Sequence, residues 1–306
     1  MDDIAIITLI GITFLAAIIN GGLGYGFSST AVPVALLFYA NRVLNPAIVL
    51  IEVVINLYIL LIHFKIIQSV FKRVVPILIG AAPGVLFGVM LLSSIDSEWI
   101  KLITFSVLLP LVLLQAGGVR RPVEAEKTAG IFVGGGIGFF YAVTTVSGPP
   151  LALILSNQGL QKKEFRAALS VIRLFLSSLT AMAYYQFQFY QVESVGVLQT
   201  MIPSVLVGIP IGTYVIRKVD AETFRRVCMS FDAWFIAFGL SRVLIQLNIL
   251  KDPAAYSILV LAVLIDSGLL YKYFTIRKKQ LQYGFAGPEG HGAPTKPTRS
   301  QEAVPP

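Results

Sequence analysis

Residues 143–150 read VTTVSGPP, and they sit inside an apolar run from Thr128 to Leu155. That run exceeds the roughly 18 apolar residues that mark a membrane-spanning helix. A glycine and two prolines are poorly placed inside a helix, but proline suits a helix's first turn. The stretch therefore reads as the end of one helical segment and the start of another within a single apolar run. The chain does the same near its start, where Ile4–Ala40 is broken by NGGLGYG, residues 20–26.

Outward from these breaks, the chain is apolar along nearly its whole length. Of 306 residues, 56% are hydrophobic and 13% charged, with a mean hydropathy of +0.79. Soluble domains carry about 25% charged residues. No soluble core hides this much apolar surface, so the fold class is all-α, a polytopic membrane protein. The expected segments besides the two broken ones are Pro46–Ile67, Val74–Leu92, Trp99–Ala116, Phe165–Tyr185, Val195–Ile216, Phe224–Ile245 and Ala254–Phe274. The start of the chain has an acidic flank, Asp2-Asp3, and no small-residue cleavage site, so it does not read as a signal peptide. A single cysteine, Cys228, excludes an internal disulfide or a cysteine-built metal cluster. The net charge of +8 comes mainly from short loops between apolar runs, where it sets orientation rather than binding nucleic acid. The tail after Tyr283, rich in Gly, Pro, Ser and Thr, has the composition of a disordered segment.

The chain repeats itself. Pro76-ILIGAA-Pro83 matches Pro203-SVLVGI-Pro210, and Asp96-Ser97-Glu98 matches Asp220-Ala221-Glu222 about twenty residues later. The glycines of Gly22-Leu23-Gly24 match those of Gly136-Ile137-Gly138, and each break leads on to a proline, Pro33 or Pro149. The two halves are residues 1–121 and 122–247, followed by one extra transmembrane helix, 248–280, and a tail, 281–306. Locally, Asp-x-Glu can simply cap a helix start. It does not explain four features recurring in the same order. Repeats with interrupted helices at matching positions point to a transporter.

Lys272, Arg277, Lys278 and Lys279 place the C-terminus in the cytoplasm. Working backward, the charge rule holds at nearly every loop if Thr128–Leu155 enters and returns on one side, which keeps Arg120, Arg121 and Lys127 inside. Lys65, Lys72 and Arg73 then fall inside, and acidic Asp2 and Asp3 outside, with Arg42 as the exception. The halves become inverted, each a re-entrant hairpin plus three spans. Ile4–Ile19 and Ser28–Ala40 are each shorter than the roughly 20 residues a crossing needs. A plain topology of eight or nine full crossings is the alternative.

Non-helical backbone at membrane depth must be buried in protein or line a watery cavity. A half-helix starting there offers free N–H groups and a partial positive charge, which suits an anion. The candidate ligands are Asn20, Gly22, Gly24, Ser28, Ser29 and Thr30 from the first break, and Thr144, Thr145, Ser147 and Gly148 from the second. The pairs Gly84–Gly88 and Gly208–Gly212 read instead as close helix packing, and Gly134–Gly138 fits either reading. Ionisable residues inside spans are costly and mark function. Aligning Ala47 with Ala168 sets Glu52 opposite Arg173. Arg173 is an anion ligand or gate, or else a buried ion pair with Glu52. Glu52 is a candidate for proton coupling, and Asn56, one turn on, can line the same path. Asp232 and Asp266 carry weaker signals, and His63 reads as interfacial. No HExxH, Walker loop, GxSxG or CxxC occurs, and GGLGYG lacks the strand–turn–helix context of a nucleotide site. No enzyme, catalytic residue, cofactor, metal or nucleic-acid partner is expected. The expected partners are a small anion and the bilayer of the cytoplasmic membrane. The chain carries no signal for an oligomeric state.

NGGLGYGFSSTAVP, GGGIGFFYAVTTVSGPP and the repeated P-x6-P segment with its D-x-E helix start together resemble the sulfite exporter TauE/SafE family of membrane permeases, over Ile4–Phe274. The resemblance implies two four-element repeats and transport of sulfur-containing anions such as sulfite, thiosulfate and organosulfonates. Many members carry more glycines before the first proline, where this chain has Phe27-Ser28-Ser29-Thr30, which implies a shifted ligand preference. The expected function is secondary transport of such an anion by alternating access. A passive anion channel and a carrier of another small solute stay open.

Overall fold

The computed structural model describes residues 3–62, 64–117, 127–156 and 162–282. His63, Arg120, Arg121 and all of the expected tail but its first two residues lie outside them. Among the described residues the chain is helical, without strands. The helices are α1 (Asp3–Leu23), α2 (Phe27–Ala35), α3 (Asn41–Ile62), α4 (Phe64–Ser94), α5 (Ser97–Ala116), α6 (Lys127–Thr144), α7 (Gly148–Ser156), α8 (Lys162–Gln186), α9 (Val192–Val215), α10 (Ala221–Gln246) and α11 (Ser257–Gln282). All of these except α2, α6 and α7 are long and apolar enough to cross a membrane.

The contacts run across the expected boundary between the halves at residue 121. The first helix of each half packs on the proline-bearing helix of the other, α1 on α9 and α6 on α4. The pairs α3–α8 and α5–α10 join equivalent helices. Close approach depends on glycine. A Cβ at Gly80, Gly84 or Gly88 of α4 would collide with the α6 backbone, and one at Gly134 or Gly138 of α6 with the α4 backbone. Gly212 stands in the same way against Ile18 of α1, and Gly21 against Ile209 of α9. These are the small-residue seams by which helices pack where no hydrophobic driving force exists between them. Gly134–Gly138 thus serves packing.

Several boundaries differ from the sequence expectation. The first break falls later, because α1 runs through Asn20, Gly21 and Gly22 to Leu23 and reaches 21 residues, the length of a span. Gly21 and Gly22 are seam glycines facing α9. The helix stops only where Gly24 (φ +81°) and Gly26 (φ +103°) turn the backbone left-handed. Pro33, expected near the start of a half-helix, lies deep inside α2, while Pro149 and Pro150 occupy the first turn of α7. Lys72 and Arg73 lie within α4 rather than in a loop.

Arg42, the exception to the charge rule, donates to the carbonyls of Leu92, Ser93 and Ile95 at 2.8–3.0 Å. It caps the C-terminus of α4, where four carbonyls lack helical partners. Asp220 caps α10, accepting the Thr223 N–H at 2.9 Å, whereas Asp96 makes no such bond at α5. Asp266 ties α11 to α10 by accepting from Ser230 (2.9 Å) and from the Trp234 indole (3.0 Å).

Candidate functional site

The two breaks meet. A Cβ on Gly148, the first residue of α7, would lie 3.4 Å from the Tyr25 ring and 3.6 Å from the Gly26 nitrogen. The starts of α2 and α7 therefore face one another, each with first-turn N–H groups that have no helical acceptor. Every residue from Phe27 to Ala35 is buried, as are Thr144, Thr145, Ser147 and Gly148.

The first broken helix ends on side chains from α8, and the second on side chains from α3 and α8. Arg166 donates to the Gly22 carbonyl (3.3 Å) and Arg173 to the Gly24 carbonyl (3.5 Å), so two guanidinium groups of α8 cap α1. At the end of α6, Asn45 of α3 donates to the Val143 carbonyl (2.8 Å) and Tyr184 of α8 to the Ala142 carbonyl (2.5 Å). The register that pairs Ala47 with Ala168 also pairs Asn45 with Arg166. Equivalent positions thus cap the broken helix of the opposite half.

Glu52 and Arg173 form the buried ion pair. Arg173 Nη2 lies 2.6 Å from Glu52 Oε1, at 1% and 0% exposure. The Tyr141 hydroxyl donates to Glu52 Oε2 at 2.7 Å. A buried pair is tolerable only with good geometry and further hydrogen bonds, and here Tyr141 and the Gly24 carbonyl supply them. The pair joins α3 of one half to α8 of the other, with Tyr141 one turn before the second break and Gly24 in the first. The Arg173 Nε finds no partner among the described residues.

The remaining candidates divide by hydrogen bonding. Ser29 Oγ donates to the Gly26 carbonyl (3.1 Å), Thr144 Oγ1 to Phe140 (2.8 Å) and Thr145 Oγ1 to the Thr144 carbonyl (2.7 Å), which are local bonds that stiffen the breaks. Thr144 also accepts the Val146 N–H at 3.1 Å. Thr145 has φ +57°, a left-handed conformation that a β-branched residue seldom adopts. Ser147 Oγ, Thr30 Oγ1, Asn20 Oδ1 and both ends of the Asn56 amide are buried and find no hydrogen-bond partner among the described residues. Buried polar groups are normally satisfied, which sets these atoms apart from the locally bonded hydroxyls of the breaks. Asn56 makes no hydrogen bond into the Glu52–Arg173 cluster.

A model of the family described as Sulfite exporter TauE/SafE matches residues 9–237. The chain belongs to that family. No curated protein and no solved structure matches it. The TauE/SafE match runs from α1 into α10 and leaves α11 outside. Membership makes the chain a multi-pass membrane transporter of the sulfur-anion class, and members of the family are transporters rather than enzymes.

Sequence reasoning missed Tyr141, Tyr184 and Asn45. In an apolar run a tyrosine reads as filler. The signal for Asn45 was the repeat register itself, two residues before the aligned alanines.

Proposed function

We propose that this TauE/SafE protein is a secondary transporter that carries a small sulfur oxyanion such as sulfite, thiosulfate or an organosulfonate, held where the starts of α2 and α7 face each other. The observation that carries this reading is the contact of Gly148 with Tyr25 and Gly26, beside the unpartnered Ser147 hydroxyl. Two helix starts supply N–H groups and partial positive charge to one anion. Thr30 and Ser147 add free hydroxyl donors near it, with Ser28 in the same turn as Thr30, while Ser29, Thr144 and Thr145 spend their hydroxyl protons on local carbonyls and shape the breaks. Arg173 supplies the full charge, and its planar group suits oxyanion geometry. In the closed arrangement Glu52 is the internal counter-ion of Arg173, and an arriving anion competes with it. Glu52 then acts as a displaceable counter-ion, in place of the proton carrier expected from its position alone.

The reciprocal packing of α1 on α9 and α6 on α4 supports two inverted halves that rock about this point, exposing it to each side in turn. The charge pattern supports a cytoplasmic-membrane location with the C-terminus inside and the N-terminus outside.

The test is flux by purified protein in proteoliposomes of sulfite, thiosulfate, sulfoacetate, taurine, sulfate and acetate, each with and without a pH gradient. Saturable flux with counterflow of a sulfur oxyanion is expected. Flux without saturation or counterflow makes the protein a channel. No flux of any of these by folded protein overturns the reading.

A further inference from the structure

We propose that Asp232, with Thr30 and Ser29 of α2, is the site that takes up and releases the coupling proton. This rests on the transport reading above and adds its energy source. Asp232 is 1% exposed, and neither carboxylate oxygen has a hydrogen-bond partner among the described residues. It lies on α10, which packs on α2, and the Thr30 and Ser29 hydroxyls at the start of that half-helix stand close enough to act on it without forming a hydrogen bond. Thr30 Oγ1 is itself buried and unpartnered. A charged carboxylate buried without a counter-ion is costly enough that it must be neutralised.

The charged groups of the elements packed around it are held by other partners or lie near the ends of their helices, as Glu98 does in the first turn of α5. Arg225 and Arg226 hold Glu222 and the Gln115 and Ala116 carbonyls at the end of α5. Asp266 of α11 is held by Ser230 and Trp234. Lys101 of α5 and Arg242 line a small recess beside Leu36, beyond the far end of α2. On α1, the charged residue is Asp3 in its first turn, at the end away from the break. Tyr256, in the short turn before α11, stacks on Phe238. The titratable neighbour is buried Cys228, one turn earlier on α10. A proton suits the site better than a metal cation, because two hydroxyls are a thin ligand set and the start of α2 already bears partial positive charge. The register that matches Glu98 with Glu222 puts Leu108 opposite Asp232, so one half alone carries this acid. Through α2, protonation at Asp232 and anion binding at the first break act on the same half-helix.

Two measurements on the full chain test this. Infrared spectra of wild type and D232N across pH should show a protonated carboxyl band that titrates in wild type and is missing from the variant. Identical spectra at every pH overturn the proposal. So does a Na⁺-dependent rise in Tm that D232N abolishes, since it makes the site a cation's. In proteoliposomes with the voltage clamped, a gradient of one pH unit supports about tenfold accumulation per coupled proton. D232N should keep counterflow and lose that accumulation, and D232E should recover it. Undiminished accumulation by D232N overturns the coupling role. Wild type that carries no anion refutes the transport reading instead, and the infrared band still decides whether Asp232 titrates.

Discussion

The first break reverses the chain with two left-handed glycines, Gly24 and Gly26, whereas the second uses left-handed Thr145 and a pair of prolines. The surroundings differ as much as the backbones. Arg166 and Arg173 cap the helix before the first break, and Asp232 stands beside the helix after it. At the second break neutral Asn45 and Tyr184 cap the helix and Leu108 stands in register with Asp232, while Glu52, in register with Arg173, is reached through Tyr141. The repeat therefore reproduces a geometry, two helix starts aimed at one point, while the ionisable chemistry gathers around the first break. A carrier that couples two ions needs such a difference, because two identical halves offer nothing to distinguish the ions.

Arg173 ties both breaks together, so its removal has the largest expected effect. Arg173→Ala strands Glu52 as a buried charge, which costs about 3–5 kcal/mol. Denaturant unfolding in detergent should show that loss, and transport should vanish with it. The double variant Glu52→Gln with Arg173→Gln removes both charges and should regain most of the stability without regaining transport. Normal transport by the double variant would mean that the charge at the first break has no part in binding.

Alanine at the paired glycines then asks whether the breaks really differ. Gly26→Ala forces a Cβ into a left-handed backbone, at a cost of about 1–2 kcal/mol, and places it 3.0 Å from Ile19. Gly148→Ala meets its neighbours at ordinary distances, 3.4 Å and beyond. Its effect on stability should stay within about 0.5 kcal/mol, while the added methyl narrows the gap between the breaks and weakens the anion. Tm measured for both, with binding measured for Gly148→Ala, checks this. Equal losses of Tm would erase the distinction.

Much of this asymmetry was written in the chain, though not all of it. Apolar length and paired prolines located the spans, since a bilayer imposes its thickness on any helix that crosses it. The break itself was harder to place. A glycine that packs and a glycine that turns look alike in sequence, and only the partner helix shows that Gly21 and Gly22 face α9 while Gly24 and Gly26 bend. The Glu52–Arg173 pair was legible because the repeat set the two opposite each other. Tyr141 was not, because its role depends on a partner 89 residues away. Asp232 and Asp266 carried equal weight as buried acids. Packing separates them, leaving Asp266 held by Ser230 and Trp234 and Asp232 with no hydrogen-bond partner among the described residues.

The smallest effect on stability should come from Ser147→Ala, and set against Ser29→Ala it is the most informative about the ligand. Ser29→Ala removes the bond to the Gly26 carbonyl, with an expected loss of about 1 kcal/mol. Ser147→Ala removes a buried hydroxyl that bonds nothing, so Tm should hold or rise slightly. If that hydroxyl waits for an anion, its loss appears only in binding. A hydrogen bond to a charged acceptor contributes about 1.5–3 kcal/mol, which is more than tenfold in Kd. Calorimetric titration of both variants with the transported anion separates the cases. An unchanged Kd for Ser147→Ala would place the anion away from the second break, and a fall in its Tm would show that the hydroxyl serves the fold.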